Sequence, residues 1–214
     1  GIFQEHPYAQ PVAVCDLNEE KARAAAERYG IPAVYTDYQK MLAECPCDAV
    51  SIVTPDFLHG DIAVACAKAG KHILIEKPLA DTLENAETIL KAAENYPKKL
   101  MVAHICRFDI RYVKAYEAIR NGELGEIIYI SSKRNSPTLG AHRYAKQCKL
   151  ITHSGVHDMD LIRWFLGCEY KSVYAVGRKV RMVKEGYADA LDSIQAVYTF
   201  ENGVTYSLEN TWAL

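Results

Sequence analysis

Gly70-Lys-His-Ile-Leu-Ile-Glu-Lys-Pro-Leu79 decides how this chain folds. Its centre, His72 to Ile75, is a short, nearly continuous apolar run, the pattern of a strand inside a parallel sheet. Gly70 closes the helical stretch Leu58–Ala69 in front of it. Behind it, Glu76-Lys77-Pro78 ends the strand on two charges and a ring that has no N–H to donate.

The same rhythm continues outward. Upstream, strands are predicted over Pro11–Cys15, Ala33–Tyr35 and Asp48–Val53, the last closed by Thr54-Pro55. Helices are predicted over Glu19–Tyr29, with Asn18 as N-cap and Gly30 as stop, and over Asp37–Glu44. Downstream come a helix over Leu83–Asn95 and a strand over Leu100–His104. Apolar strands alternating with helices argue a parallel sheet covered on both faces, a Rossmann-type doubly wound α/β unit.

The pattern changes after residue 105. A helix over Ile110–Asn121 and a strand over Gly125–Arg134 lead into a loop containing Pro137 and Gly140, then a histidine-bearing segment ending at Gly167. Residues 170–181, 190–200 and 203–212 read as longer strands, the last two joined by Glu201-Asn202-Gly203, a hairpin signal. Such strands imply an α+β domain with a mostly antiparallel sheet and one helix-covered face. The expected domains are 1–104 and 105–214; the resemblance described below implies that the first binds a dinucleotide and the second binds substrate and mediates oligomerisation.

The 214 residues are enough for a sizeable core, and a formal net charge of −2 gives no reason to expect nucleic acid or an anionic membrane. No apolar run reaches the length of a membrane span, and no signal peptide is visible. The seven cysteines are scattered apart from Cys45-Pro46-Cys47, a spacing that fits neither a redox pair nor zinc. Free thiols in a reducing cytoplasm are the expectation.

Chemistry gathers in two places. Lys77 follows a parallel strand at its C-terminal end, where open α/β sheets bind ligands. In His153-Ser-Gly-Val-His-Asp-Met-Asp160, two imidazoles stand one helical turn apart beside carboxylates. A cation to steady an alkoxide and a histidine to move a proton are the protein's share of a hydride-transfer reaction. His153 and His157 also suit a metal pair, but Ser154 replaces the glutamate of a metalloprotease motif and no third ligand is spaced for it. No metal is expected. Asp158 reads as a carboxylate favoured by the helix dipole in the first turn, and Asp160 as the one facing the site.

Asp16, directly after the apolar run ending at Cys15, suits the acidic residue that takes the ribose hydroxyls of a dinucleotide. Residues 1–10 then hold at most the tail of the glycine loop or first helix, with nothing left for the first strand. That strand lies centrally in the usual order, so its absence would leave the strands at 11–15 and 48–53 with unpaired backbone groups. Residues preceding Gly1 are therefore expected, the alternative being that another segment or a partner fills the gap.

These residues resemble the Gfo/Idh/MocA oxidoreductases. The resemblance rests on Val12–Asp16, Thr54-Pro55 with His59, Gly70–Leu79, Arg107-Phe108, Gly122–Gly125 and Val156–Trp164, in family order over nearly the whole chain. It implies a dehydrogenase or reductase of sugars, inositols or related polyols, with NAD as cofactor and NADP as the alternative. Asp16, followed by Leu17 rather than a basic residue, favours NAD, since a carboxylate repels a 2′-phosphate. It also implies that Lys77 and His157 are catalytic, with His153 beside them in place of the aspartate many members carry. Asp16, Leu17, Thr54, Pro55, His59, Glu76 and Lys77 would line the cofactor site. Arg107, Tyr144, His153, His157 and Asp160 would meet the substrate, with His142 and Arg143 close by in sequence. The family's sheets imply a homo-oligomer, a dimer or tetramer, and a second domain that continues beyond Leu214. The alternative from another class is a non-catalytic or ligand-sensing relative, or an inactive fragment.

Overall fold

A computed structural model describes residues 2–137, 142, 145 and 148–213. The chain divides into two compact units, residues 1–102 and 103–214.

The first unit starts with a one-turn helix, α1 (Ile2–Glu5), and then alternates strand and helix. The elements are β1 (Ala13–Cys15), α2 (Glu19–Tyr29), β2 (Ala33–Tyr35), α3 (Tyr38–Glu44), β3 (Ala49–Ile52), α4 (His59–Lys68), β4 (His72–Ile75), α5 (Leu83–Ala93) and β5 (Leu100–Val102). Local chemistry sets the helix ends. The Asn18 side chain accepts from the Lys21 N–H at 3.0 Å, Asp37 caps α3 through Gln39 and Lys40, and Thr82 caps α5 through Asn85. Gly30 ends α2 at φ 61°, a left-handed conformation that costs glycine little.

All strand pairing in this unit is parallel. β1 pairs with β2, and β3-β4-β5 form a second sheet in which Ile52 lies opposite Ile75. Among the described residues, β1 and β3 are not hydrogen-bonded to each other. Ile52, Ile73 and Ile75 bury one face of the three-stranded sheet with Ile62, Ala63 and Cys66 of α4 and Ile89 of α5. The opposite face is more open than expected: Ala49, Ser51 and Met101 are exposed and Leu74 is half-buried.

The second unit contains α6 (Ile110–Arg120), β6 (Tyr129–Asn135), a π-helical turn (Ile151–Gly155) running directly into α7 (Val156–Leu166), β7 (Tyr170–Arg178), α8 (Arg181–Lys184), β8 (Ser193–Phe200) and β9 (Thr205–Thr211). The sheet order is β6-β9-β8-β7, antiparallel except for β6 beside β9. β8 and β9 form the expected hairpin, with Gly203 at φ 86° in its turn. Leu161, Ile162 and Phe165 of α7 meet Ile194, Ala196, Tyr198, Phe200, Tyr206 and Leu208 in one core.

The strand expected over 170–181 ends earlier, at Arg178. Asp192, 5 % exposed, accepts the N–H groups of Val180, Arg181 and Met182, and these bonds open α8 in place of further ladder. The strand expected from Gly125 begins instead at Tyr129. No helix among the described residues is long and apolar enough to cross a membrane.

Candidate active site

In the first unit the candidate residues collect where β3 and β4 end. The last ladder bond runs from the Glu76 N–H to the Ile52 carbonyl at 2.9 Å. Beyond it the chain enters Thr54-Pro55 on one strand and Lys77-Pro78 on the other, the latter joined by a cis peptide bond. The Lys77 N–H donates to Glu76 Oε2 at 3.2 Å. Thr54 Oγ1 is buried with no hydrogen-bond partner among the described residues. An orphaned hydroxyl at a strand C-terminus suits a polar ligand group that is itself a donor or acceptor.

His59 plays a different part from that implied by the resemblance. Its ring is 1 % exposed, with Nδ1 at 2.9 Å from the Pro78 carbonyl and Nε2 at 3.0 Å from the Thr54 carbonyl. Both ring nitrogens face main-chain carbonyls; a neutral imidazole donates to one of the two, and the buried ring packs between the two turns.

Asp16 stands past the end of β1, its own N–H bonded to the Tyr35 carbonyl at 3.2 Å. Its Oδ1 accepts from the Asn18 N–H at 2.8 Å, which orients the carboxylate. Leu17 beside it is 84 % exposed, an apolar side chain left open next to an acid.

In the second unit the histidines sit where the π-helical turn meets α7. His157 Nδ1 lies 3.7 Å from Cys106 Sγ, and His153 Nδ1 lies 3.7 Å from Cys148 Sγ, so each ring meets its own thiol. His153 also packs edge-on to Trp212, with ring centroids 5.8 Å apart. Burial pushes the Cys106 thiol up, with Arg134 partly offsetting it, so the partner of His157 is a protonated thiol.

The carboxylates flanking His157 are each engaged by an arginine. Asp158 is buried and takes Arg134 of β6 through Nε at 2.5 Å and Nη2 at 3.1 Å. Burial opposes the Arg134 charge, and the bond to Asp158 overcomes it. The dipole reading of Asp158 therefore covers only part of its role. Asp160 takes Arg107 through Nε at 2.8 Å and Nη2 at 2.5 Å, with His104 Nδ1 at 3.6 Å. The Arg107 guanidinium lies 5.9 Å from the Trp164 ring centre, and Trp164 stacks on Tyr116. Arg107 and Asp160, both expected to meet substrate, bind each other. Tyr144 and Arg143 lie outside the described residues.

Sequence spacing did not reveal Arg134, Cys106 or Asn210. Asn210, fully buried on β9, donates to the Arg134 carbonyl and to Ser154 Oγ, and so fixes the histidine turn against the sheet. The backbone approaches closely here, because a Cβ on Gly155 would stand 2.7 Å from Ile151 Cδ1 and 3.2 Å from Asn210 Oδ1.

Comparison with known proteins places both units. Residues 2–104 match the model of the Gfo/Idh/MocA oxidoreductase family with its NAD-binding Rossmann fold, and residues 112–214 match the Gfo/Idh/MocA C-terminal domain. The chain belongs to the Gfo/Idh/MocA oxidoreductase family. It is 34 % identical over 204 residues to inositol 2-dehydrogenase of Arthrobacter sp., covering 94 % of this chain and 59 % of that protein. It is 27 % identical over 202 residues to myo-inositol 2-dehydrogenase of Thermotoga maritima, covering 93 % and 60 %. Among solved structures, scyllo-inositol dehydrogenase from Lactobacillus casei with bound NAD(H) and scyllo-inositol superposes with a TM-score of 0.91. It is 25 % identical, and the match covers 100 % of this chain and 65 % of that one. This Gfo/Idh/MocA chain thus spans about 60 % of the length of the curated relatives it matches.

Proposed function

We propose that this chain supplies the cofactor-binding and proton-transfer parts of an NAD-dependent dehydrogenase acting on a CH–OH carbon of an inositol, a sugar or a related polyol. The observation that carries this reading is the presence of both chemistry-bearing segments in a chain whose relatives are named inositol dehydrogenases. One is Glu76-Lys77-Pro78 at the C-terminal end of β4; the other is His157 at the start of α7.

In the proposed reaction His157 accepts the substrate hydroxyl proton, and the Lys77 ammonium stabilises the oxygen as its charge develops. When bound, NAD supplies the hydride acceptor. Asp16, Leu17, Thr54, Pro55, Glu76 and Lys77 would hold it. The unpartnered Thr54 hydroxyl and the oriented Asp16 carboxylate support that fit, and a carboxylate at Asp16 favours NAD over NADP. His153 stands where many members carry an aspartate, and we assign it to substrate contact with His157. Because Arg107 and Asp160 neutralise one another, they serve this reading by shaping the segment around His157. A homo-oligomer, dimer or tetramer, belongs to the same proposal, and the non-catalytic alternative is not favoured by the named activities of the relatives.

The test is a titration with NADH followed by nicotinamide fluorescence, then a polyol panel scored by NADH absorbance. Binding and turnover are expected, with turnover collapsing in Lys77→Ala and in His157→Ala. Unchanged rates in either variant would remove that residue from the mechanism.

A further inference from the structure

The β3–β4 ladder stops at the Glu76–Ile52 bond. Three residues past each strand stands a feature that prevents its continuation: Pro55 and Pro78 have no N–H. The carbonyls of Thr54 and Pro78 still require donors, and they belong to the two turns that carry the candidate cofactor-site residues. One side chain reaches both. The His59 ring lies between them at 2.9 and 3.0 Å and is 1 % exposed. The neutral ring donates to one of these carbonyls, and its rigid body, buried between the turns, holds the second at contact distance, whereas an amide places its donor at the end of a flexible chain.

The ring is also firmly anchored. His59 opens α4, whose Ile62, Ala63 and Cys66 are buried against the sheet made by the same two strands. Gly60, the next residue, faces the Asn85 side chain of α5, 3.4 Å from where a Cβ would stand.

We propose that His59 is a positioning residue for Lys77, replacing the missing rungs of the β3–β4 ladder with one buried ring that pins the Lys77-Pro78 turn to the Thr54-Pro55 turn. The main chain at Lys77 is then held on one side by β4 and on the other by His59. The consequence for catalysis rests on the dehydrogenase reading above; the hold on the turn does not.

The first test is amide hydrogen exchange on this chain and on His59→Phe and His59→Gln. In His59→Phe, exchange at Glu76, Lys77 and Leu79 should rise about tenfold or more, while Ile73 to Ile75 in the strand stay protected. His59→Gln keeps one donor and should recover part of that protection. Unchanged exchange in the turn overturns the proposal. So does loss of protection throughout the first unit in both variants, because His59 would then be a general core residue.

The second test is kinetic. His59→Phe should lower kcat for a polyol about ten- to a hundredfold, the scale of a small misplacement of a reacting group, with little change in KM. In a Lys77→Ala background the same substitution should have almost no further effect, because it acts through Lys77. Losses that multiply in the double variant overturn the proposal. A wild-type chain that turns over no polyol refutes the dehydrogenase reading, and the exchange data still decide what His59 holds.

Discussion

Arg107 and Asp160 meet in a two-pronged ion pair, with the Asp160 side chain only 8 % exposed and the Arg107 side chain 33 %. A carboxylate engaged at both oxygens by one guanidinium is a fixed part of the scaffold. The two residues should therefore behave as a unit. Asp160→Asn and Arg107→Gln are each expected to destabilise the chain, and the double variant to cost less than their sum. The coupling should be about 1–3 kcal/mol in urea unfolding, and full additivity would show that the pair is not formed in solution.

Asp158 and Arg134 make a second pair beside His157, with Asp158 the more buried partner. Removing one member leaves the other charge without its counter-ion, which costs about 3–5 kcal/mol at fully buried sites. Arg134 keeps some exposure, so Arg134→Met should fall near the lower end. Asp158→Asn should lower stability in the same assay and also slow turnover, because Asp158 adjoins His157 in α7.

A side chain at Gly155 would require the Ile151 tip and the Asn210 amide to give way. Gly155→Val would press on Ile151 and on Asn210, which itself holds Ser154 and Arg134. An overpacking cost of about 1–3 kcal/mol is expected, together with a loss of turnover larger than stability alone explains. A variant with unchanged thermal midpoint and rate would contradict the close approach of the histidine turn to β9.

The alkaline limb of stability should carry a signature of Cys66. Burial raises this fully buried thiol from 9.0 to about 12. Between those values the unfolded chain releases the thiol proton and the folded chain keeps it, so stability falls as pH rises from about 9 towards about 12. Burial also raises Tyr170 and Tyr206, and these act in the same direction. Cys66→Val should flatten part of the slope of the denaturation midpoint between pH 8 and 10.5. An unaltered slope would show that the thiol does not contribute.

Helix ends and turns were legible wherever the decisive contact is local. Asn18 and Gly30 bound α2 through bonds three to five residues long, and Glu201-Asn202-Gly203 turns one strand onto the next. Lys77 and His157 could be put forward as candidates for another reason: each lies in a short string that combines a strand or helix signal with a chemically specific side chain. The surroundings of His157 were not. Its thiol partner Cys106 lies 51 positions away, and Ser154 meets Asn210 across 56. No periodicity records such distances.

Read alone, the chain yields the alternation of strand and helix in the first unit, the longer strands of the second, and the two strings on which the proposed chemistry rests. Those features follow from backbone propensity, capping and burial period, which act over a few residues. It took the folded chain to place the His59 ring between two proline-ended turns, to pair Arg107 with Asp160, and to bring Arg134 and Cys106 beside the histidine segment. Those arrangements depend on which buried polar groups find partners once the chain has collapsed, and that pairing is set by packing across the fold and not by neighbours along the chain.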